Sequence, residues 1–167
     1  MRLCRNAQSH FFFLNKNDTT TMTIAIDFDG TIVEDKYPEI GHEKPFATQT
    51  LRMLIEKRHK LILWTVREGK CLEDAVNWCR ERGVEFYAIN KDYPEEKREN
   101  NNHFSRKIKA DVWIDDRNIG GLPDWGTIYR MIEEKVTFDD LIYEAENSNI
   151  RSTYSAEKTK KHWWQRG

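Results

Sequence analysis

The chain has 167 residues, room for one domain, with a net charge of −1, 38% hydrophobic, 33% charged and 12% aromatic residues. The aromatics can furnish a core, which excludes a disordered chain, and no apolar window is long enough to span a bilayer, which excludes a membrane protein. The charge is uneven: residues 1–22 carry +2 and 148–167 carry +4, leaving −7 on the body, which excludes a nucleic-acid-binding surface spread across the domain.

Residues 1–21 lie outside every periodic pattern. Phe11-Phe12-Phe13-Leu14, behind Arg2 and Arg5, is too short for a signal peptide and no small-residue cleavage site follows. The segment reads as a disordered or peripheral leader, with Met22 opening the first strand. Ile24-Ala25-Ile26-Asp27-Phe28-Asp29 is a short apolar run ending in acids. After the 32–44 loop, Ala47, Leu51, Leu54 and Ile55 recur at helical spacing, behind Pro45 in a first-turn position.

Leu61 to Thr65 is the second apolar run, and Leu72, Ala75, Val76 and Cys79 form the next helical stripe, terminated by Gly83. Phe86 to Ile89 is the third strand. Residues 90–106, very polar, read as a long surface excursion before the fourth run, Val112-Trp113-Ile114-Asp115-Asp116. A stripe of Trp125, Ile128, Tyr129 and Ile132 follows, then an acidic variant of the capping box, Thr137 and Asp140. Residues 148–167 are a basic tail.

Unbroken apolar strands alternating with amphipathic helices predict an α/β fold, a Rossmann-like three-layer sandwich with a central parallel sheet and right-handed crossovers, formed by residues 22–147. The three cysteines show no paired spacing, so neither a disulfide scaffold nor a thiolate zinc site is expected. Reduced Cys71 and Cys79 on one helix suit a cytoplasmic location.

In an open parallel sheet, ligands sit at the carboxyl ends of the strands. Asp27, Asp29, Thr65, Asp115 and Asp116 end three of the four strands, so they should share one crevice, with Lys107 and Lys109 just ahead of the fourth strand. Several carboxylates together need a cation, and hard oxygen ligands favour Mg²⁺. A calcium loop starting at Asp27 fails, because Ile32 and Pro38 stand where it needs Gly and Glu. Such a crevice suits phosphoryl transfer: one aspartate attacks phosphorus, a second carboxylate handles the proton, and a cation with a hydroxyl holds the phosphoryl oxygens. Gly30 lets the backbone approach the phosphate closely. Arg67 and Arg117 each follow a motif residue closely enough to touch phosphate or product.

Ile24 to Thr31, with its Asp-x-Asp-Gly-Thr, resembles the first motif of the haloacid dehalogenase superfamily. Leu61 to Thr65 is similar to its second motif, Lys107 or Lys109 to its third, and Ile114-Asp115-Asp116 to its fourth, in the same order over about residues 22–135. The resemblance implies Asp27 as nucleophile and metal ligand, and Asp29 as general acid/base whose backbone carbonyl reaches the metal. It implies Thr65 as the phosphate-binding hydroxyl and Asp116 as a Mg²⁺ ligand supported by Asp115. Lys107 is preferred to Lys109 for the third motif, although either lies unusually close to the fourth.

A carboxylate two residues past the nucleophile favours phosphate esters over halides, because halide leaves unprotonated. The gaps between motifs hold no domain of ordinary size, so the expected enzyme is capless. Its open site would suit a large substrate such as a macromolecular end, or would be closed by a neighbouring copy in a homo-oligomer; a small phosphometabolite or a nucleotide would fit if the 32–44 loop or the 90–106 excursion folds over the crevice. The alternatives are a phosphate-binding or regulatory domain of the same fold without turnover, and a receiver domain, whose acidic pair and phosphoacceptor come in the reverse order.

Overall fold

The structure, a computed structural model, describes residues 20–97 and 108–147. The first strand, β1 (Thr23–Ile26), is followed by α1 (Ala47–Glu56), β2 (Lys60–Leu63), α2 (Gly69–Glu81), β3 (Ala88–Ile89), β4 (Val112–Ile114) and α3 (Trp125–Glu133). A fourth helix, α4, runs over 138–147. The sheet is parallel throughout, in the order β3-β2-β1-β4. This is the α/β, Rossmann-like three-layer sandwich expected from the alternating pattern. Among the described residues no helix is long and apolar enough to cross a membrane.

The apolar runs lack alternation because both faces of the sheet are covered. Ile24, Ile26, Leu61, Leu63 and Ile114 join Leu51 and Leu54 of α1, Ala75 and Cys79 of α2 and Trp125, Ile128 and Ile132 of α3 in the larger core. Ala25, Ile62 and Ala88 belong to a smaller cluster with Ile108, and Trp64, Ala110 and Trp113 pack against it. β3 and β4 lie at opposite edges of the sheet. Residues 90–97 of the expected surface excursion are half-buried or exposed, and its residues 98–106 lie outside the described part. Ile108 is buried and Ala110 half-buried ahead of β4.

Local signals held where a partner was close in sequence. Gly83, at φ +75, ends α2 with Gly83 N–H on the Arg80 carbonyl and Val84 N–H on that of Cys79. Thr137 and Asp140 exchange the capping-box bonds: Thr137 N–H donates to Asp140 Oδ2 at 2.8 Å and Asp140 N–H to Thr137 Oγ1 at 3.2 Å. Pro45 differs from expectation. It lies in the turn before α1, whose N-cap is Phe46 at φ 66. Glu43 caps the helix from outside, its Oε1 accepting from Thr48 N–H at 3.0 Å and Thr48 Oγ1 at 2.6 Å. The third strand is also shorter than expected. Tyr87 lies outside it on the exposed edge, though its N–H still reaches the Leu61 carbonyl.

Residues 20 and 21 are exposed coil. The rest of the expected leader and all of the 148–167 tail lie outside the described residues.

Candidate functional site

The register brings the strand ends level. Ile26 pairs with Leu63 on one side and Ile114 on the other, so Asp27 leaves β1 beside Asp115. Asp27 N–H donates to the Ile114 carbonyl at 3.0 Å, which places it between the neighbouring strands. A tight turn follows. The Phe28 carbonyl accepts from the N–H groups of Thr31, Ile32 and Val33 while the Phe28 ring is fully buried, edge-on to Trp78 with centroids 5.7 Å apart.

Gly30 takes φ +79 in this turn. A Cβ there would lie 2.3 Å from Asp116 Oδ2, so the absence of a side chain lets the first and fourth motifs meet. Thr31, completely buried, locks that meeting: its Oγ1 accepts from Asp116 N–H at 3.0 Å, and its carbonyl accepts from Trp125 Nε1–H at 3.2 Å. In the sequence Thr31 is only a letter of the motif, and its bond to Asp116 spans too much sequence for spacing to reveal.

Asp27, Asp115 and Asp116 form the acidic cluster, one carboxylate oxygen of each lying within 4.8 Å of the others. Burial pushes Asp27 up to about 6, and the charges of Asp115, Asp116 and Asp29 add to the rise against the bond to the Phe28 backbone. Asp115 Oδ1 accepts from Arg117 N–H at 2.8 Å, while the Arg117 side chain is exposed. Asp116 Oδ1 is buried with no hydrogen-bond partner among the described residues. An orphaned buried carboxylate oxygen, a cradle that a Cβ at Gly30 would fill and three hard anionic donors together fit a small divalent cation.

The Asp29 carboxylate, expected as the general acid/base, is turned to Arg67: Arg67 Nε donates to Oδ2 at 2.6 Å and Nη2 to Oδ1 at 2.7 Å. Asp115, expected only in support, joins the cluster with its own carboxylate. Arg67 differs from expectation. Its side chain is fully buried, and its fork is spent on Asp29 and on the carbonyls of Pro38 and Glu39, so it does not line the crevice as a phosphate ligand. Asp29 raises the Arg67 pKa still further, and the guanidinium stays charged.

Thr65 stands half-buried just past β2. Its N–H donates to Asn90 Oδ1 at 2.8 Å and its Oγ1 accepts from Arg67 N–H at 3.3 Å. Asn90, at φ 52, therefore fixes the end of β2 from the neighbouring strand end; an Asn in a left-handed position after a strand was the available signal. Lys109 is exposed, with its N–H on Asp92 Oδ1 at 2.8 Å. Two residues on, Asp111 meets Thr23 at the start of β1, the end remote from Asp27. Lys107 lies outside the described residues.

Between β1 and β2 there is only the 32–44 loop and α1, and between β2 and β3 only α2, so no domain is inserted at either point. The 32–44 loop closes on itself, with Glu34 N–H on the His42 carbonyl and Lys44 N–H on that of Ile32. Its Tyr37–Pro38 peptide is cis.

No protein-family model matches the chain, and no match to a curated protein was found. A solved structure described as that of a conserved protein coded by a locus from Bacteroides thetaiotaomicron is similar to it, with 64% sequence identity and a TM-score of 0.67, the match covering 72% of this chain and 97% of that one. At that identity, over nearly the whole of the solved protein, the chain belongs to the same family as this conserved Bacteroides protein.

Proposed function

We propose that this chain is a Mg²⁺-dependent phosphoric monoester hydrolase of haloacid dehalogenase type. The observation that carries the reading is the cluster of Asp27, Asp115 and Asp116 at the sheet's carboxyl end, with Asp116 Oδ1 inside it unpartnered among the described residues and Asp29 two residues past Asp27. Asp27, Asp115 and Asp116 would hold the cation, which, when bound, offsets negative charge on the phosphoryl oxygens.

The residues divide the work as follows. A carboxylate oxygen of Asp27 attacks phosphorus as the ester P–O bond breaks, giving an aspartyl-phosphate, and Asp29 gives a proton to the departing oxygen. Asp29, now ionised, takes a proton from water as that water attacks phosphorus. The bond from phosphorus to Asp27 breaks, returning the carboxylate and inorganic phosphate. Thr65 offers its hydroxyl, and Lys107 rather than Lys109, which precedes the remote end of β4, a cation, to the phosphoryl oxygens. With no inserted domain over the crevice, the substrate class is open to a metabolite, a nucleotide or a macromolecular end. The free Cys71 and Cys79 suit a reducing cytoplasm.

One observation favours a second reading, a phosphate-binding or regulatory domain without turnover: both Asp29 oxygens are engaged by Arg67. A screen of phosphate esters with Mg²⁺ and with EDTA separates the two. Release of phosphate that needs Mg²⁺ and is lost in Asp27→Asn supports the enzyme; saturable phosphate binding with no release from any ester supports the binding domain.

A further inference from the structure

Arg67 is among the largest completely buried side chains, and its charge sits beneath a site that otherwise gathers acids. It donates to Asp29 through Nε and Nη2, to the Pro38 carbonyl at 2.9 Å through Nη1 and to the Glu39 carbonyl at 2.7 Å through Nη2. Its guanidinium lies 5.0 Å from the Phe28 ring centre and 5.3 Å from that of Tyr37, which stays 57% exposed. One group thus joins the turn after β1, the end of β2 and the 37–39 stretch of the loop.

Burying such a pair carries a desolvation penalty for each ion, and apolar residues of similar volume often fill such a place at no loss of stability. The fork also does what a hydrophobic filler cannot. A carboxylate offers about four lone-pair directions. Arg67 takes two of them and thereby sets where the other two point.

From this geometry we infer that Arg67 is a positioning residue: it aims the Asp29 carboxyl at the leaving oxygen and ties that aim to the Tyr37–Glu39 stretch. The inference rests on the phosphatase reading and adds a selectivity to it. The effect of Arg67 falls on esters whose leaving oxygen needs a proton and spares those whose leaving group departs as a stable anion.

The test compares propyl phosphate with 4-nitrophenyl phosphate in Arg67→Lys, which keeps the charge and loses the fork. Turnover of propyl phosphate should fall about 100-fold while that of 4-nitrophenyl phosphate falls less than about fivefold, with KM for either nearly unchanged. Adding Asp29→Asn to Arg67→Lys should bring no further loss on propyl phosphate. Amide exchange across residues 37–41 should quicken about tenfold or more in Arg67→Lys, with or without substrate. Should Arg67→Lys not fold, Tyr37→Ala removes one ring from the guanidinium at an exposed position and should show the same ester-selective loss, about two- to fivefold. Equal losses on both esters, additive losses with Asp29→Asn, or unchanged exchange over 37–41 would overturn the positioning role. A wild-type chain that hydrolyses neither ester instead removes the phosphatase reading, and this role with it.

Discussion

The two ends of the sheet treat charge in opposite ways. At the amino ends of the strands, among the described residues, polar groups meet partners. Met22 N–H donates to His59 Nδ1 at 3.1 Å, which leaves the proton on Nε2 to face Glu133 Oε1 at 2.6 Å, and Thr23 N–H donates to Asp111 Oδ2 at 2.7 Å. At the carboxyl ends three aspartates crowd together, Asp116 Oδ1 has no partner among the described residues and Asp27 is pushed up to about 6. Both ends are built on the same short strands, so strand geometry does not force the crowding. Polar groups are matched where the fold has only to hold and left in conflict where a ligand has to enter.

That contrast breaks most visibly through Asp27→Asn. The proposed hydrolysis should fall by about 10³-fold or more, because the nucleophile is gone. If the crevice is the frustrated end, the same change removes a like charge, and the metal-free protein should melt about 2–4 °C higher in EDTA. A lower melting temperature in EDTA would mean that Asp27 is held by favourable contacts and that the two ends are alike.

Gly30→Ala is the next largest effect. The added methyl would press on the Asp116 carboxylate, in a backbone conformation costing a side chain roughly 1–2 kcal/mol. Asp116 must shift, and a displacement of this order can cost about 100-fold in turnover. The measurement is kcat beside the apparent Mg²⁺ affinity; both should drop together.

At the other end, His59→Ala should cost about 2–3 kcal/mol in urea unfolding, because it leaves Glu133 and the Met22 amide with no partner at His59. Specific activity of the folded protein should be unchanged. Loss of activity without loss of stability would show that this end is part of the working site.

What the sequence disclosed follows from range. Strand and helix stripes, the Gly83 stop and the Thr137–Asp140 box are local patterns, and each appears in the structure. The convergence of Asp27, Asp115 and Asp116 was legible because strand ends in a parallel sheet share one edge. The partner of Arg67 was not, since 38 residues separate it from Asp29 and a single arginine carries no periodicity. That the Asp115 carboxylate joins the cluster was hidden for a related reason: its approach to Asp27 follows from the register of β1 on β4, which spacing does not show.

The smallest expected effect is the most specific to the crowded end. Asp27 titrates near 3.8 in an unfolded chain and about 6 in the folded one. Between those values the native state holds a proton that the unfolded chain has released, so ΔG of unfolding falls as pH rises from about 4 to about 6 and levels off above. A cation held by Asp27, Asp115 and Asp116 competes with that proton. The melting shift on replacing EDTA by MgCl₂ should therefore be small near pH 5 and larger near pH 7.5. Saturation 10- to 100-fold above Kd is worth roughly 1–3 kcal/mol, or about 2–8 °C for a domain of this size. In Asp27→Asn the dependence of that shift on pH should vanish, because the competing proton is gone. His59→Ala should keep it, since His59 faces Glu133 and Met22 at the opposite end. A shift equal at both pH values would put the cation on other carboxylates and leave the crowding at the strand ends without a ligand to account for it.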